Sequence, residues 1–145
     1  MYIIGFDLST TNIGWAVLEN EKYLNWVPVS QRFGILRDNE FRLSGDFDQR
    51  MIAAHEVINS ILVFSEADTC IAIEAPFVGP NRKTALQLGL MRGLAWAASL
   101  RMTGKTPIEI TPAEAKLALT GRGNADKAMM MHWAAIQAKR VLGEH

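Results

Sequence analysis

Cysteine is nearly absent from this sequence: Cys70 stands alone among 145 residues. That excludes an internal disulfide and fits a reducing compartment, with Cys70 itself read as a small apolar residue beside a strand. No apolar run approaches the roughly 20 residues that a membrane-spanning helix needs. The opening residues, Met1 to Asp7, lack a basic stretch and meet an acid at once, so they do not read as a signal peptide. These absences point to a cytoplasmic protein. Repeats, linkers and low-complexity segments are missing too, and the length suits one compact domain over residues 1–145. An excess of either charge is also missing: 15 Lys and Arg balance 15 Asp and Glu. Taken alone, that balance argues against a nucleic-acid partner.

What is present tells a different story. Hydrophobic residues make up 49% of the chain, ample for a core. The charges are also segregated. Residues 1–78 hold five Lys or Arg against eleven Asp or Glu. Residues 79–127 hold eight (Arg82, Lys83, Arg92, Arg101, Lys105, Lys116, Arg122, Lys127) against three (Glu109, Glu114, Asp126). An acidic half followed by a basic half can set a metal pocket beside a phosphate-binding surface, or can be two ordinary solvated faces.

The runs Tyr2 to Leu8 and Ile13 to Leu18 are apolar and β-prone, and Ser9-Thr10-Thr11-Asn12 between them is rich in turn formers. They predict an antiparallel hairpin. A third strand is expected over Trp26 to Leu36, with Pro28 favouring a sheet edge. Met51, Ala54, Ile58, Ile61 and Leu62 recur at helical spacing, which predicts a helix from about Asp46 to Ser65 capped by Ser44 or Asp46. Thr69 to Ala75 reads as a buried central strand. After a loop from Pro76 to Lys83 comes a helix over Thr84 to Arg101 that is apolar nearly all round, hence deeply buried or shared with a partner subunit. A short strand follows at Thr106 to Ile110, then a helix with Thr111 as cap and Pro112 in its first turn. Gly121 to Asn124 breaks that helix, and Asn124 is the expected cap of a last one reaching about Leu142. This order gives an α/β fold: a mixed five-stranded sheet, three antiparallel strands and then parallel ones, flanked by helices.

Two carboxylates interrupt apolar strands. Asp7 sits in the first, and Glu74 lies near the end of Ile71-Ala-Ile-Glu-Ala75. Burying either unpaired is costly. On adjacent strands they repel unless a cation lies between them, and hard oxygen ligands suit Mg²⁺ or Mn²⁺. The plainer reading is that each caps a turn or pairs with a surface lysine.

Gly5-Phe-Asp-Leu-Ser-Thr-Thr-Asn-Ile-Gly-Trp-Ala-Val-Leu18 resembles the first hairpin of the RuvC family of Holliday junction resolvases, within the RNase H-like superfamily. Ile73-Glu-Ala-Pro-Phe77 is similar to that family's second acidic motif, and Asn81 to Trp96 to the loop and helix that follow it. The most specific match is Thr111 to Lys127, which is similar to the family's Pro…Lys…Thr-Gly-x-Gly-x-Ala-x-Lys signature. The first motif is shared with sugar kinases and other actin-like ATPases; the four in one order span nearly the whole chain.

The resemblance implies a metal-dependent endonuclease that cleaves branched DNA with two Mg²⁺ (or Mn²⁺) ions, leaving 5′-phosphate and 3′-hydroxyl ends. It implies a homodimer making paired nicks across a four-way junction, with the helix Thr84 to Arg101 as the candidate dimer contact. Asp7 would bridge both metals and Glu74 would bind one. Phe77 matches the aromatic that stacks at the opened junction centre, and Lys116 and Lys127 match basic residues near the scissile phosphate. Each has an ordinary alternative as a core ring or a solvated helix charge. Arg82, Lys83 and Arg122, on expected loops, are candidates for backbone phosphates. Asp126, in the first turn of the last helix, reads as structural, as do His55, His132 and the Met129 to Trp133 patch.

One part of the family pattern is missing. The family closes its site with a last helix carrying Asp or His, two residues, then Asp. Here His145 falls about where the first would be, a candidate metal ligand, with Glu144 one residue off. A chain cut before its last helix, a natural short version that recruits another acid, and a junction binder that cuts poorly all account for this. Truncation also explains the sheet face such a stop leaves uncovered, and it predicts weak metal affinity and turnover. An actin-like kinase or ATPase stays open on the first motif alone.

Overall fold

The computed structural model describes residues 2–20, 33–63, 65, 68–76 and 79–141, with the backbone alone at 19–20, 33–38 and 137–141. The expected hairpin is there, as β1 (Tyr2–Leu8) and β2 (Asn12–Asn20). Its turn is built by Ser9. The Ser9 hydroxyl accepts from the N–H of Thr11 (3.2 Å) and of Asn12 (2.9 Å), while the Ser9 N–H donates to the Asn12 carbonyl (3.0 Å). A short polar side chain thus replaces the backbone bonds that the turn cannot make for itself.

The third strand extends further along the chain than its apolar run suggested. β3 is described over Phe33–Arg42, so the expected strand is present at 33–36 and runs on to Arg42, while residues 21–32, Trp26 and Pro28 among them, lie outside the described residues. Among the described residues it occupies a sheet edge, paired with β2 alone from Asn12↔Arg42 to Asn20↔Phe33, with a register shift between Val17 and Leu18. An edge strand needs one paired side, so Arg37-Asp38-Asn39-Glu40 can form it despite its polarity.

Helix boundaries follow capping chemistry. In α1 (Phe47–Leu62), Asp46 rather than Ser44 is the cap: the Gln49 N–H donates to Asp46 Oδ1, and the Asp46 N–H donates to Gln49 Oε1, both at 2.9 Å. β4 (Cys70–Glu74) follows. Next, α2 (Arg82–Thr103) starts two residues before the expected Thr84, because Asn81 caps it by accepting from the Thr84 N–H (3.2 Å). Arg82 and Lys83, expected on a loop, therefore stand in its first turn. It ends at Gly104 in the left-handed region (φ 70°). β5 (Ile108–Ile110) leads into α3 (Pro112–Thr120), where Thr111 and Glu114 form the expected capping box. The last helix, α4 (Lys127–Val141), is capped not by Asn124 but by Asp126, whose Oδ1 accepts from the Met129 N–H at 2.8 Å.

The sheet order is β3-β2-β1-β4-β5, with β1, β2 and β3 antiparallel and β4 and β5 parallel to β1. Alternation gives it two unlike faces. Ile4, Phe6, Leu8, Ile13, Val17, Ile71 and Ile73 are buried and form one core with Ala54, Ile58 and Leu62 of α1 and Met91, Ala95 and Ala98 of α2. α2, expected to be deeply buried or shared with a partner subunit, is buried along one side. Its other side leaves Leu86 and Leu90 exposed. Its Arg92 pairs with Glu109 of β5, and its Arg101 donates to the Asn59 amide oxygen of α1. Among the described residues no helix is long and apolar enough to cross a membrane.

Candidate active-site face of the sheet

The opposite face carries the carboxylates. Asp7 alternates with the buried Phe6 and Leu8, so it points away from the core and is exposed. Glu74 ends β4 and is likewise exposed, beyond the buried Ile73. The parallel register pairs Phe6 with Ile73, which sets Asp7 beside Glu74 on strands about 4.8 Å apart. Partial burial pushes the Glu74 carboxyl above its ordinary range, and the charge of Asp7 pushes it the same way. Two acids on adjacent strands, expected from the sequence, are thus neighbours that repel.

Across the hairpin, Asp7 faces Gly14. A Cβ at Gly14 would lie 3.4 Å from Asp7 Cβ and 4.0 Å from Asp7 Oδ2, so glycine keeps the space beside this carboxylate clear. Gly14 in turn pairs with Glu40 of β3, giving a row Glu74, Asp7, Gly14, Glu40 across the face. Glu40 is two strand spacings from Asp7, about 10 Å. Among the described residues no three His, Cys, Asp or Glu side chains are close enough to share a metal ion. As a donor set the Asp7 and Glu74 pair fits a hard divalent cation: it is oxygen-only, on one side of the sheet, and repulsive without one.

The basic candidates gather at the same end of the sheet by topology. α2 starts just past the carboxyl end of β4, with Arg82 and Lys83 exposed in its first turn. β5 ends beside Glu74 through the Glu74↔Ile110 pair and the Ala75 N–H bond to the Ile110 carbonyl (2.8 Å), and α3 begins two residues later. That puts Lys116, half-buried, in the second turn of a helix that starts next to Glu74. Arg122 is exposed between α3 and α4, and Lys127 opens α4, which packs against α3 and β3. Ligands of sheets with parallel strands gather at such carboxyl ends. Arg92 and Arg101 drop out of the basic set, being engaged within the fold. His55 accepts an Asn59 contact (3.1 Å) on α1, while in the Met129 to Trp133 patch Met129 and Met130 are half-buried and His132 and Trp133 are exposed with their rings edge-on at 6.0 Å. Phe77 and His145 lie outside the described residues.

Two residues near the pair were not anticipated. Glu40 and Arg42 belong to the part of β3 that apolar patterning did not reach. With Thr11 and Asn12 they line an open groove of about 500 Å³ at the turn end of the hairpin. Gly14 opposite Asp7 was legible, since a turn over Ser9 to Asn12 forces that register.

Together these features define an RNase H-like domain with an acidic pair on its open face. The comparisons narrow the class to one family. The model of "Crossover junction endodeoxyribonuclease RuvC" matches residues 3–140, and the chain belongs to that family. Proteins of that name are 34% identical in Bacteroides fragilis (91% of this chain, 70% of that protein) and 32% identical in Campylobacter hominis (99% and 82%). A third, in Christiangramia forsetii, is 34% identical over 86% of this chain and 61% of its own length. The chain thus spans 61% to 82% of these relatives. The structure of T. thermophilus RuvC in complex with Holliday junction substrate shares the fold, with a TM-score of 0.74 and 22% identity over 99% of this chain and 80% of that one. The family match covers all four motifs and leaves the actin-like alternative without support.

Proposed function

We propose that this chain is a metal-dependent endonuclease for branched DNA, cutting four-way junctions in recombination or repair, as the names of its relatives suggest. The observation that carries the reading is the juxtaposition of Asp7 and Glu74 at the carboxyl ends of β1 and β4 in a chain of this family. Their carboxylates would hold Mg²⁺ or Mn²⁺, two ions when the site is complete, with His145 as a further ligand. Bound divalent metal supplies an activated water and stabilises charge on the leaving 3′ oxygen. The chain's own groups do the rest. Gly14 keeps the approach to Asp7 clear. Lys116 and Lys127 neutralise the scissile phosphate, while Arg82, Lys83 and Arg122 hold flanking phosphates without reading sequence. Phe77 stacks on an unpaired base.

The partner arrangement is a homodimer matching the two-fold symmetry of the junction, in the cytoplasm where the DNA is. Leu86 and Leu90, one turn apart and exposed on α2, are its candidate contact. The test is cleavage of an end-labelled synthetic four-way junction in Mg²⁺ or Mn²⁺. The wild-type chain should nick it to 5′-phosphate ends, and Asp7→Asn should bind but cut at least about a hundredfold more slowly. Binding without cutting by both proteins would contradict the nuclease reading.

A further inference from the structure

The groove at the turn end of the hairpin is outside the basic set discussed above, and its chemistry is specific. Asn12 and Arg42 are direct cross-strand partners, so their side chains leave the sheet on the same face, about 5 Å apart at Cβ. It is the face of Asp7, since Asn12 alternates with Gly14 along β2. Thr11, one residue before, is exposed on the turn. Among the described residues, no hydrogen bond or ion pair engages the Arg42 guanidinium or the Asn12 side-chain amide, and the Thr11 hydroxyl has only a 3.5 Å contact with Ser9. The hairpin turn consumes Ser9 and backbone groups, leaving the Arg42 and Asn12 donors unengaged and the Thr11 hydroxyl held only by its long contact with Ser9. Glu40 is the fourth wall, two residues back along β3 toward the Asp7 row.

A free guanidinium beside an amide and a hydroxyl is a donor set for a phosphate oxygen, bidentate through arginine. A volume of about 500 Å³ leaves room for a sugar-phosphate unit. Arg42 lies two strand spacings across and two residues along from Asp7, about 12 Å, within the reach of a continuous DNA backbone.

We propose that Arg42, Asn12 and Thr11 bind a backbone phosphodiester of the DNA strand whose scissile bond lies at Asp7 and Glu74. Glu40 limits this contact by repulsion and keeps the phosphate at the Arg42 end of the groove. The contact fixes where the strand crosses the open face and reads no bases. The inference rests on the nuclease reading above and adds a phosphate site on the hairpin side of the acids, opposite to the α2 and α3 cations.

The test is equilibrium binding of a labelled four-way junction by the full chain in EDTA, as a function of salt. Arg42→Ala should weaken binding about tenfold at moderate salt and reduce the slope of log K against log salt by about 0.9, one phosphate contact. Arg42→Lys should restore the slope, since a point charge still releases the counterion, and only part of the affinity. Glu40→Gln should tighten binding by about two- to threefold. An unchanged affinity and slope in Arg42→Ala would overturn the proposal, as would weaker binding by Glu40→Gln. Loss of affinity in Arg42→Ala with no rescue of the slope by Arg42→Lys would also overturn it, pointing to misfolding of the edge strand. If the wild-type chain itself fails to bind the junction, the nuclease reading falls and this site with it. Junction binding indifferent to Arg42 removes this site alone.

Discussion

Like charges held on adjacent strands make folding depend on pH. Glu74 has its pKa raised by partial burial first and by Asp7 second. Between its ordinary and its raised value, the folded chain binds more protons than the unfolded one. Stability from this group is therefore complete below the ordinary value and is lost as pH rises through the raised one. In EDTA the melting temperature of the wild-type chain should fall relative to that of Glu74→Gln as pH rises from about 4. Thermal melts of both proteins across the range check this, and a profile identical in the two would count against a raised Glu74 carboxyl. The two acids were legible because carboxylates are rare within apolar strands. Glu40 and Arg42 were not, because no local periodicity marks a polar edge strand. Only the cross-strand bonds from β2 show which of its residues stand over Asn12 and Gly14.

Elements were legible where their ends carry their own chemistry. Thr111-Pro112 with Glu114 is a complete start signal, and α3 begins where it says. α4 shows the limit. Asn124 and Asp126 are both competent caps, and only the geometry after Gly121 decides between them. Asp126 wins because its carboxylate meets the Met129 N–H. Asp126→Ala should then cost about 1 kcal/mol in denaturant unfolding, and Asn124→Ala close to nothing. Equal losses would mean that the helix starts earlier. The far end of β3 was missed for the opposite reason. Its boundaries come from pairing with β2 along a sheet edge, a tertiary fact that overrides hydropathy.

At the scale of the whole molecule, the order of elements was enough to predict a mixed sheet with an antiparallel opening, since short connections leave few other topologies. The sidedness of α2 was harder. A helix apolar all round does not announce which stripe faces the sheet, and of its apolar residues Met91, Ala95 and Ala98 are the ones buried. The core they share with Ile4, Ile71 and Ile73 backs the acidic face, so it fixes the spacing of Asp7 and Glu74. Ile73, almost wholly buried next to Glu74 in β4, should cost about 2–5 kcal/mol when changed to Ala, read from unfolding in urea. A loss under about 1 kcal/mol would mean that this part of the core is loosely packed. The central claim is that Asp7 and Glu74 act as one metal site in a junction-cutting enzyme. The most direct test is a double-mutant cycle on the single-turnover cleavage rate of a labelled four-way junction, using Asp7→Asn, Glu74→Gln and both together. If the acids share a site, each single variant should lose at least about a hundredfold and the double variant little more than either. Losses that multiply, or a Glu74→Gln variant that cuts at the wild-type rate, would contradict the account.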